Sequence, residues 1–149
     1  MSTVLFLKKD YRLIEFKKNT VKDIEDFEAI ALEHWNSFKN EHPKFNKNIL
    51  QNFNVIQTTH KNKTIGYILY ICYNSPYYEE IWCQVDMFYL KPEYRGQGTG
   101  KQMFKMLEEE AKNSGASKIM SSFNLKQPLE GFYKNMGYTE THVAVAKEL

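Results

Sequence analysis

Eleven residues, Lys91 to Lys101, constrain this chain more than any other stretch: Lys-Pro-Glu-Tyr-Arg-Gly-Gln-Gly-Thr-Gly-Lys. Ahead of them lies an apolar run, 79–90, rich in aromatic and β-branched residues, which reads as a long strand ended by Pro92. Behind them Met103, Phe104, Leu107 and Ala111 recur at helical spacing, so 99–114 reads as an amphipathic helix with Gly115 as its C-cap. A strand follows at 117–123. Strand, turn, helix and strand make one βαβ crossover, so the sheet must hold a parallel pair with a helix on its face. Gly96, Gly98 and Gly100 allow a sharp turn and a close approach of backbone to ligand. The first N–H groups of the helix have no internal partner and sit at the positive end of its dipole. Such a turn suits an anion, a pyrophosphate above all.

The spacing discriminates among phosphate loops. A Walker A loop would need glycine at 95 and Ser or Thr at 102, where Arg95 and Gln102 stand. A dinucleotide fingerprint would need a third glycine at 101 or 103, where Lys101 and Met103 stand. The pattern that fits is Arg-x-x-Gly-x-Gly, as Arg95, Gly98 and Gly100.

Elsewhere the sequence predicts a strand at 11–16, then a helix over 21–38 from Ile24, Phe27, Ala31 and Trp35, with Asn19 or Thr20 as N-cap and Asp23 completing an approximate capping box. A break around Pro43 and a short helix at 45–52 follow. Strands are expected at 53–60 and 64–73, a helix from about Pro128 to Met136, and a last strand or pair of strands at 138–147. The order β-α-(α)-β-β-β-α-β-α-β is that of a single α/β domain, 1–149, with a mixed sheet and helices on both faces.

Composition narrows the functions. The 149 residues carry a formal charge of +2, and the lysines are interspersed with acids. Arginine occurs only at 12 and 95, which argues against nucleic acid. No stretch approaches the roughly 20 apolar residues of a membrane helix, and the start lacks the apolar core of an export signal. Cys72 and Cys83 could form one disulfide, but the reading favours thiols in a reducing cytoplasm. Two cysteines and four scattered histidines show no metal-ligand spacing. Aromatic residues are 15% of the chain, enough to build a core or a cleft from rings.

The Arg95-x-x-Gly98-x-Gly100 turn between strand and helix resembles the acetyl-CoA motif of the GCN5-related N-acetyltransferases (GNAT). Asn124 and the segment Phe132-Tyr133-Lys134-Asn135-Met136-Gly137-Tyr138 resemble that family's strand-end Asn and its helix-ending motif. The likeness is strongest over 80–149. A partial similarity to small phage and prophage acyltransferases lies in Leu32–Phe38 and in 76–95, although Ser37 and Tyr77 replace that group's Glu and His. The resemblance implies a mostly antiparallel central sheet and acetyl-CoA as co-substrate. Its pyrophosphate would lie on the N–H groups of Gly96, Gln97, Gly98, Thr99, Gly100 and Lys101. Its pantetheine arm would pair with Phe88, Tyr89 and Leu90, where a strand bulge admits the thioester and an N–H near Phe88 or Leu90 polarises the carbonyl. Arg95 would meet the phosphates or brace the loop, and Asn124 would bond the pantetheine amide or a nearby backbone group. Tyr133 would protonate the leaving thiolate, or else be a core ring. Those last two assignments compete with a turn-forming Asn and with the apolar face formed by Leu129, Phe132, Tyr133 and Met136.

A base for the attacking amine is sought on the strand before the glycines. Strand alternation puts Gln84, Asp86 and Phe88 on one face and Cys83, Val85 and Met87 on the other. Asp86 is an acid in an apolar run, so its pKa should be raised; a hydrogen-bonded structural role is the competing reading. Gln84 cannot act as a base, which leaves Asp86, a water relay past Glu79 or Glu80, or His34. Trp35, Phe38, Tyr73, Tyr77, Tyr78 and Trp82, with Glu33, Glu79 and Glu80, could hold a cationic acceptor or pack a core or dimer interface. The expected activity is acetyl transfer from acetyl-CoA to a primary amine by direct attack in a ternary complex. The alternative is a catalytically degenerate CoA-binding module with a regulatory or protein-interaction role. The acceptor, small molecule or protein, stays open, as does a homodimer.

Overall fold

The computed structural model describes residues 2–5, 13–38, 44–124 and 129–149. One six-stranded sheet runs through it in sequence order: β1 (Ser2–Leu5), β2 (Ile14–Thr20), β3 (Asn54–His60), β4 (Lys63–Asn74), β5 (Ile81–Leu90) and β6 (Ala116–Met120). The first five pair antiparallel, and β6 joins β5 in parallel. The helices are α1 (Phe27–Phe38), the single-turn α2 (Lys47–Leu50), α3 (Thr99–Asn113) and α4 (Glu130–Asn135). Two cores flank the sheet. Under α3 and α4 lie Phe16, Ile56, Ile68, Tyr70, Val85, Phe104 and Leu107. Under α1 lie Ile24, Phe27, Ile30, Val55, Tyr67, Leu69 and Tyr89. This is the mixed, mostly antiparallel sheet with helices on both faces, and none of the described helices is long and apolar enough to cross a membrane.

Several sequence expectations shift. β1, which the sequence does not mark, pairs Ser2–Leu5 against residues 14–17 of β2, from Ser2↔Lys17 to Leu5↔Ile14. β2 runs on to Thr20, so Asn19 and Thr20 are strand residues and no helix cap. The Thr20 hydroxyl does bond Asp23, but around a single 3-10 turn, Val21–Asp23. The helix starts only at Phe27, where Asp26 is drawn off to accept from the Thr64 N–H (3.0 Å) and hydroxyl (2.6 Å). Pro43 and Pro128, the expected break and helix start, fall outside the described residues. The closing strand is absent: residues 139–149 form no strand and are all exposed. Cys72 and Cys83, expected as thiols, are register partners across β4 and β5, Cα atoms 4.0 Å apart, and are disulfide-bonded. Their pairing follows from strand register, which compartment-level reasoning does not see.

Candidate active site

The long strand β5 does not alternate throughout. Leu69 pairs with Met87 and Tyr70 with Val85, so Asp86 is one residue too many and forms a bulge. Side chains on either side of it therefore exchange faces. Val85 lies in the α3 core and so do Phe88 and Leu90, whereas Met87 and Tyr89 pack under α1. The expected grouping of Gln84, Asp86 and Phe88 on one face is overturned by this extra residue. Beyond the same point β5 loses its outer neighbour, because β6 pairs with it only from Ile81 to Gln84. From Asp86 onward the free side of β5 has no strand partner among the described residues.

The glycine turn closes the open end of this gap. Gly96 (φ 75°) and Gly98 (φ 84°) both occupy the left-handed region, and Gly98 is the N-cap of α3. None of the N–H groups from Gly96 to Lys101 finds a main-chain acceptor among the described residues. Gly100 is needed for another reason: a Cβ there would stand 3.3 Å from the rings of Phe132 and Phe88. The Thr99 hydroxyl is buried and has no hydrogen-bond partner among the described residues. Arg95 donates from Nε to the Leu90 carbonyl (2.7 Å) and lies 5.6 Å from the Tyr89 ring centre, so it ties the turn back to β5.

Between β5, this turn and α4 opens a cleft of about 630 Å³. Its walls hold Phe88, Tyr89, Leu90, Arg95, Gly96, Gly98, Gly100 and Lys101 of the expected cofactor residues, and Leu129, Phe132, Asn135 and Met136 from the α4 side. Gln97, Thr99, Asn124 and Tyr133 do not line it. Gln97 and Asn124 are exposed. Tyr133 is buried among Phe104, Phe123 and Tyr138, with its hydroxyl 2.7 Å from that of Ser121 just past the end of β6. Burial pushes its pKa up, and the Ser121 contact opposes that only in part.

On the α1 side a second set of polar groups meets β5. Asp86 is open to solvent, yet the protein around its carboxyl pushes its pKa above the ordinary value by desolvation. Burial raises the pKa of Tyr67, with Tyr89 and then Asp86 adding to the effect, and its hydroxyl lies 2.8 Å from His34 Nδ1. His34 stacks on Tyr89 at 4.7 Å and, buried there, has its pKa lowered to about 4, so the ring is neutral at pH 7. Tyr89 donates to Glu33 (2.9 Å), which also pairs with Lys91 (3.1 Å). Sequence reasoning named His34, Glu33 and Tyr89 without joining them. Partners 33 and 56 residues apart leave no local signal.

The expected acceptor cluster is not a single site. Glu80 accepts from Trp82 Nε1 (2.9 Å) and Ser117 (3.0 Å), and Lys118 sits 4.5 Å over the Trp82 ring. These groups satisfy one another at the start of β5, at the opposite end of the strand from the glycine turn. Tyr77 and Tyr78 project from the β4–β5 hairpin at 83% and 62% exposure. Gln84 uses its amide on the Val85 carbonyl (2.9 Å). The described residues contain no group of three or more His, Cys, Asp or Glu able to hold a metal.

Comparison with solved structures returns the same architecture. A ribosomal-protein-alanine N-acetyltransferase from Brucella melitensis biovar Abortus 2308 superposes with a TM-score of 0.76 at 16% identity, over 91% of this chain and 99% of that one. An aminoglycoside acetyltransferase from an uncultured soil metagenomic sample, solved with sisomicin, gives 0.74 at 16% identity over 91% and 96%. An integron cassette protein from the mobile metagenome of V. cholerae gives 0.74 at 17% over 91% of each. No curated protein matches the sequence. The family model described as acetyltransferase (GNAT) domain matches residues 19–148. A match over nearly the whole length, on a chain with this sheet and this glycine turn, makes the protein a member of the GNAT acetyltransferase family.

Proposed function

We propose that the chain is an N-acetyltransferase that moves acetyl from acetyl-CoA to a primary amine by direct attack in a ternary complex. One observation carries the reading: β5 parts from β6 at the Asp86 bulge and leads, strand-like and with no strand partner on one side among the described residues, to a left-handed glycine turn whose N–H groups find no main-chain acceptor among those residues. The residues suit a long ligand with an anionic end. Gly96 to Lys101 offer donors for a pyrophosphate, and the apolar walls from Phe88, Phe132 and Met136 suit a pantetheine chain along β5. Bound there, acetyl-CoA supplies an activated acyl group with a thiolate leaving group.

The chain's own groups then move protons. The new amide bond forms as the carbon–sulfur bond breaks. Asp86, as a carboxylate with a raised pKa, takes the ammonium proton directly or through water. The family resemblance gives Tyr133, held protonated by burial but set behind the cleft wall with its hydroxyl on Ser121, the proton for the departing thiolate, and the Tyr133→Phe variant decides between that role and a core ring. N–H groups of β5 near Phe88 and Leu90 stabilise charge on the thioester oxygen. The acceptor is a small-molecule or protein amine.

Calorimetric titration with acetyl-CoA, with CoA and ATP as controls, tests the reading. Stoichiometric binding, weakened at least tenfold by Gly98→Glu, is expected. Absence of binding at millimolar ligand to folded protein overturns it. If binding is retained but no amine supports turnover, and Asp86→Asn and Tyr133→Phe change nothing, the chain is a CoA-binding module instead.

A further inference from the structure

Among the described residues the glycine turn donates no main-chain hydrogen bond that would hold it in place. The Arg95 N–H donates to the Pro92 carbonyl (3.1 Å) and the Gln102 N–H to the Gly98 carbonyl (3.1 Å), and the N–H groups between them find no such acceptor. Where those groups point is therefore set from the two ends of the turn. α3 fixes one end, with Thr99 and Gly100 already buried. At the other end residues 91–98 are exposed except Lys91 and Tyr94. Arg95 ties back to Leu90, five residues earlier on the strand that feeds the turn. Tyr94 reaches further. Its ring packs on the α3 core and stands edge-on to His60 at 5.6 Å, and its hydroxyl lies 2.8 Å from His60 Nδ1, 34 residues away.

His60 ends β3, on a hairpin that is itself firmly fixed. Lys61 (φ 51°) and Asn62 (φ 62°) close it with two left-handed residues, the tight turn that suits twisted strands. Thr64, on the returning strand, donates from both its N–H and its hydroxyl to Asp26. Thr58 pairs with Gly66 and Thr59 with Thr64, so Ile65 is an extra residue, 3% exposed, and its carbonyl accepts from the Lys91 N–H (2.9 Å). The hairpin thus grips the lead-in to the glycine turn at two points, Lys91 by backbone and Tyr94 by side chain. We propose that His60 and Tyr94 are positioning residues for the cofactor: their contact braces the glycine turn against the β3–β4 hairpin, so that its N–H groups are aimed before the ligand arrives. The proposal rests on the reading of that turn as the pyrophosphate site. Neither side chain lines the cleft, so the effect passes through the placement of backbone donors and not through contact with the ligand. Donors ordered during folding do not have to be ordered on binding, which strengthens binding without any new contact.

Calorimetric titration of the full chain with acetyl-CoA tests the proposal, on the parent, Tyr94→Phe, His60→Phe and the double variant as a cycle. Each single variant keeps a ring in place and should weaken binding about 3–10-fold, the worth of one net hydrogen bond. The double variant should lose no more than either single one, because both remove the same contact. His60→Asn, whose side-chain amide can stand where Nδ1 stood, should bind more tightly than His60→Phe. Tyr94→Phe removes one oxygen and leaves the ring on its core, so it stays folded even where a change at His60 does not. A parent that fails to bind acetyl-CoA removes the cofactor reading and the brace together. A parent that binds, with Tyr94→Phe equally tight, with losses that simply add, or with no recovery in His60→Asn, overturns the brace alone.

Discussion

Lowering the pH from 7 to 4 should remove about 3 kcal/mol of stability through His34 alone. The ring is 7% exposed, stacked on Tyr89 and bonded to Tyr67, and burial brings its pKa from 6.5 to about 4, with the Arg95 charge adding to the effect. In the unfolded chain it titrates near 6.5. Between those values the unfolded state binds a proton that the folded state does not, so stability rises with pH across that window. The contribution is complete above pH 6.5 and lost as pH falls to about 4. At about 1.4 kcal/mol per pH unit, this drop in pKa corresponds to about 3 kcal/mol, a large share of a domain's usual 5–15 kcal/mol. Urea titrations at pH 7, 5.5 and 4 on the parent and on His34→Gln would measure it. Carboxylates titrating in the same range act on both proteins and cancel in the difference. With a slope of roughly 2 kcal/mol per molar urea, the parent's midpoint should fall about 1–2 M further than the variant's. Parallel losses in the two proteins would refute the assignment of a neutral, desolvated imidazole.

Other perturbations act along β5. Gly66→Ala places a Cβ 2.9 Å from the Tyr89 carbonyl and 2.9 Å from Leu90 Cδ1, so thermal melting should show a loss of about 1–3 kcal/mol, with weaker acetyl-CoA binding because that backbone lines the cleft. Tyr133→Phe should cost about 1 kcal/mol in denaturant titration through the Ser121 contact, while kcat falls about 10²–10⁴-fold if the hydroxyl is the acid. A small kcat change would reduce Tyr133 to a core ring. For Asp86→Asn, the parent's kcat/KM should decline as pH drops through a pKa above the ordinary aspartate value, and the variant should lack that acidic limb. Identical profiles would exclude Asp86 as the base.

The parts of the fold set by local chemistry were legible. The glycine turn, α3 and the strands between 54 and 120 sit within a few residues of their expected places because hydrophobic period, Pro92 and Gly115 mark them locally. The start of α1 was misplaced because Asp26 is claimed by Thr64, 38 residues away, and because β2 extends through the predicted cap to pair Thr20 with Asn54. Eight expected cofactor residues gather on the cleft since they fall within one short span of sequence, 88–101. The contacts of His34 with Tyr67 and Tyr89, and of Tyr89 with Glu33, were not visible, because they join α1, β4 and β5. The bulge left no signature at all: Val85-Asp86-Met87 is as compatible with a regular strand as with an irregular one.

That irregularity divides β5 by parity. Upstream, odd-numbered residues feed the α3 core; downstream, even-numbered ones do. The Cys72–Cys83 bond clamps the upstream half against β4, three residues before the bulge, so the odd register cannot drift forward to absorb the extra residue. Losing a single codon at 86 would therefore remove the unpaired residue and regularise the strand, leaving Phe88 and Leu90 in one core and Met87 and Tyr89 in the other with the partners on β4 that they already have. Within ten residues of strand, the reading frame of side chains changes once, and every group that faces the cleft lies on its far side.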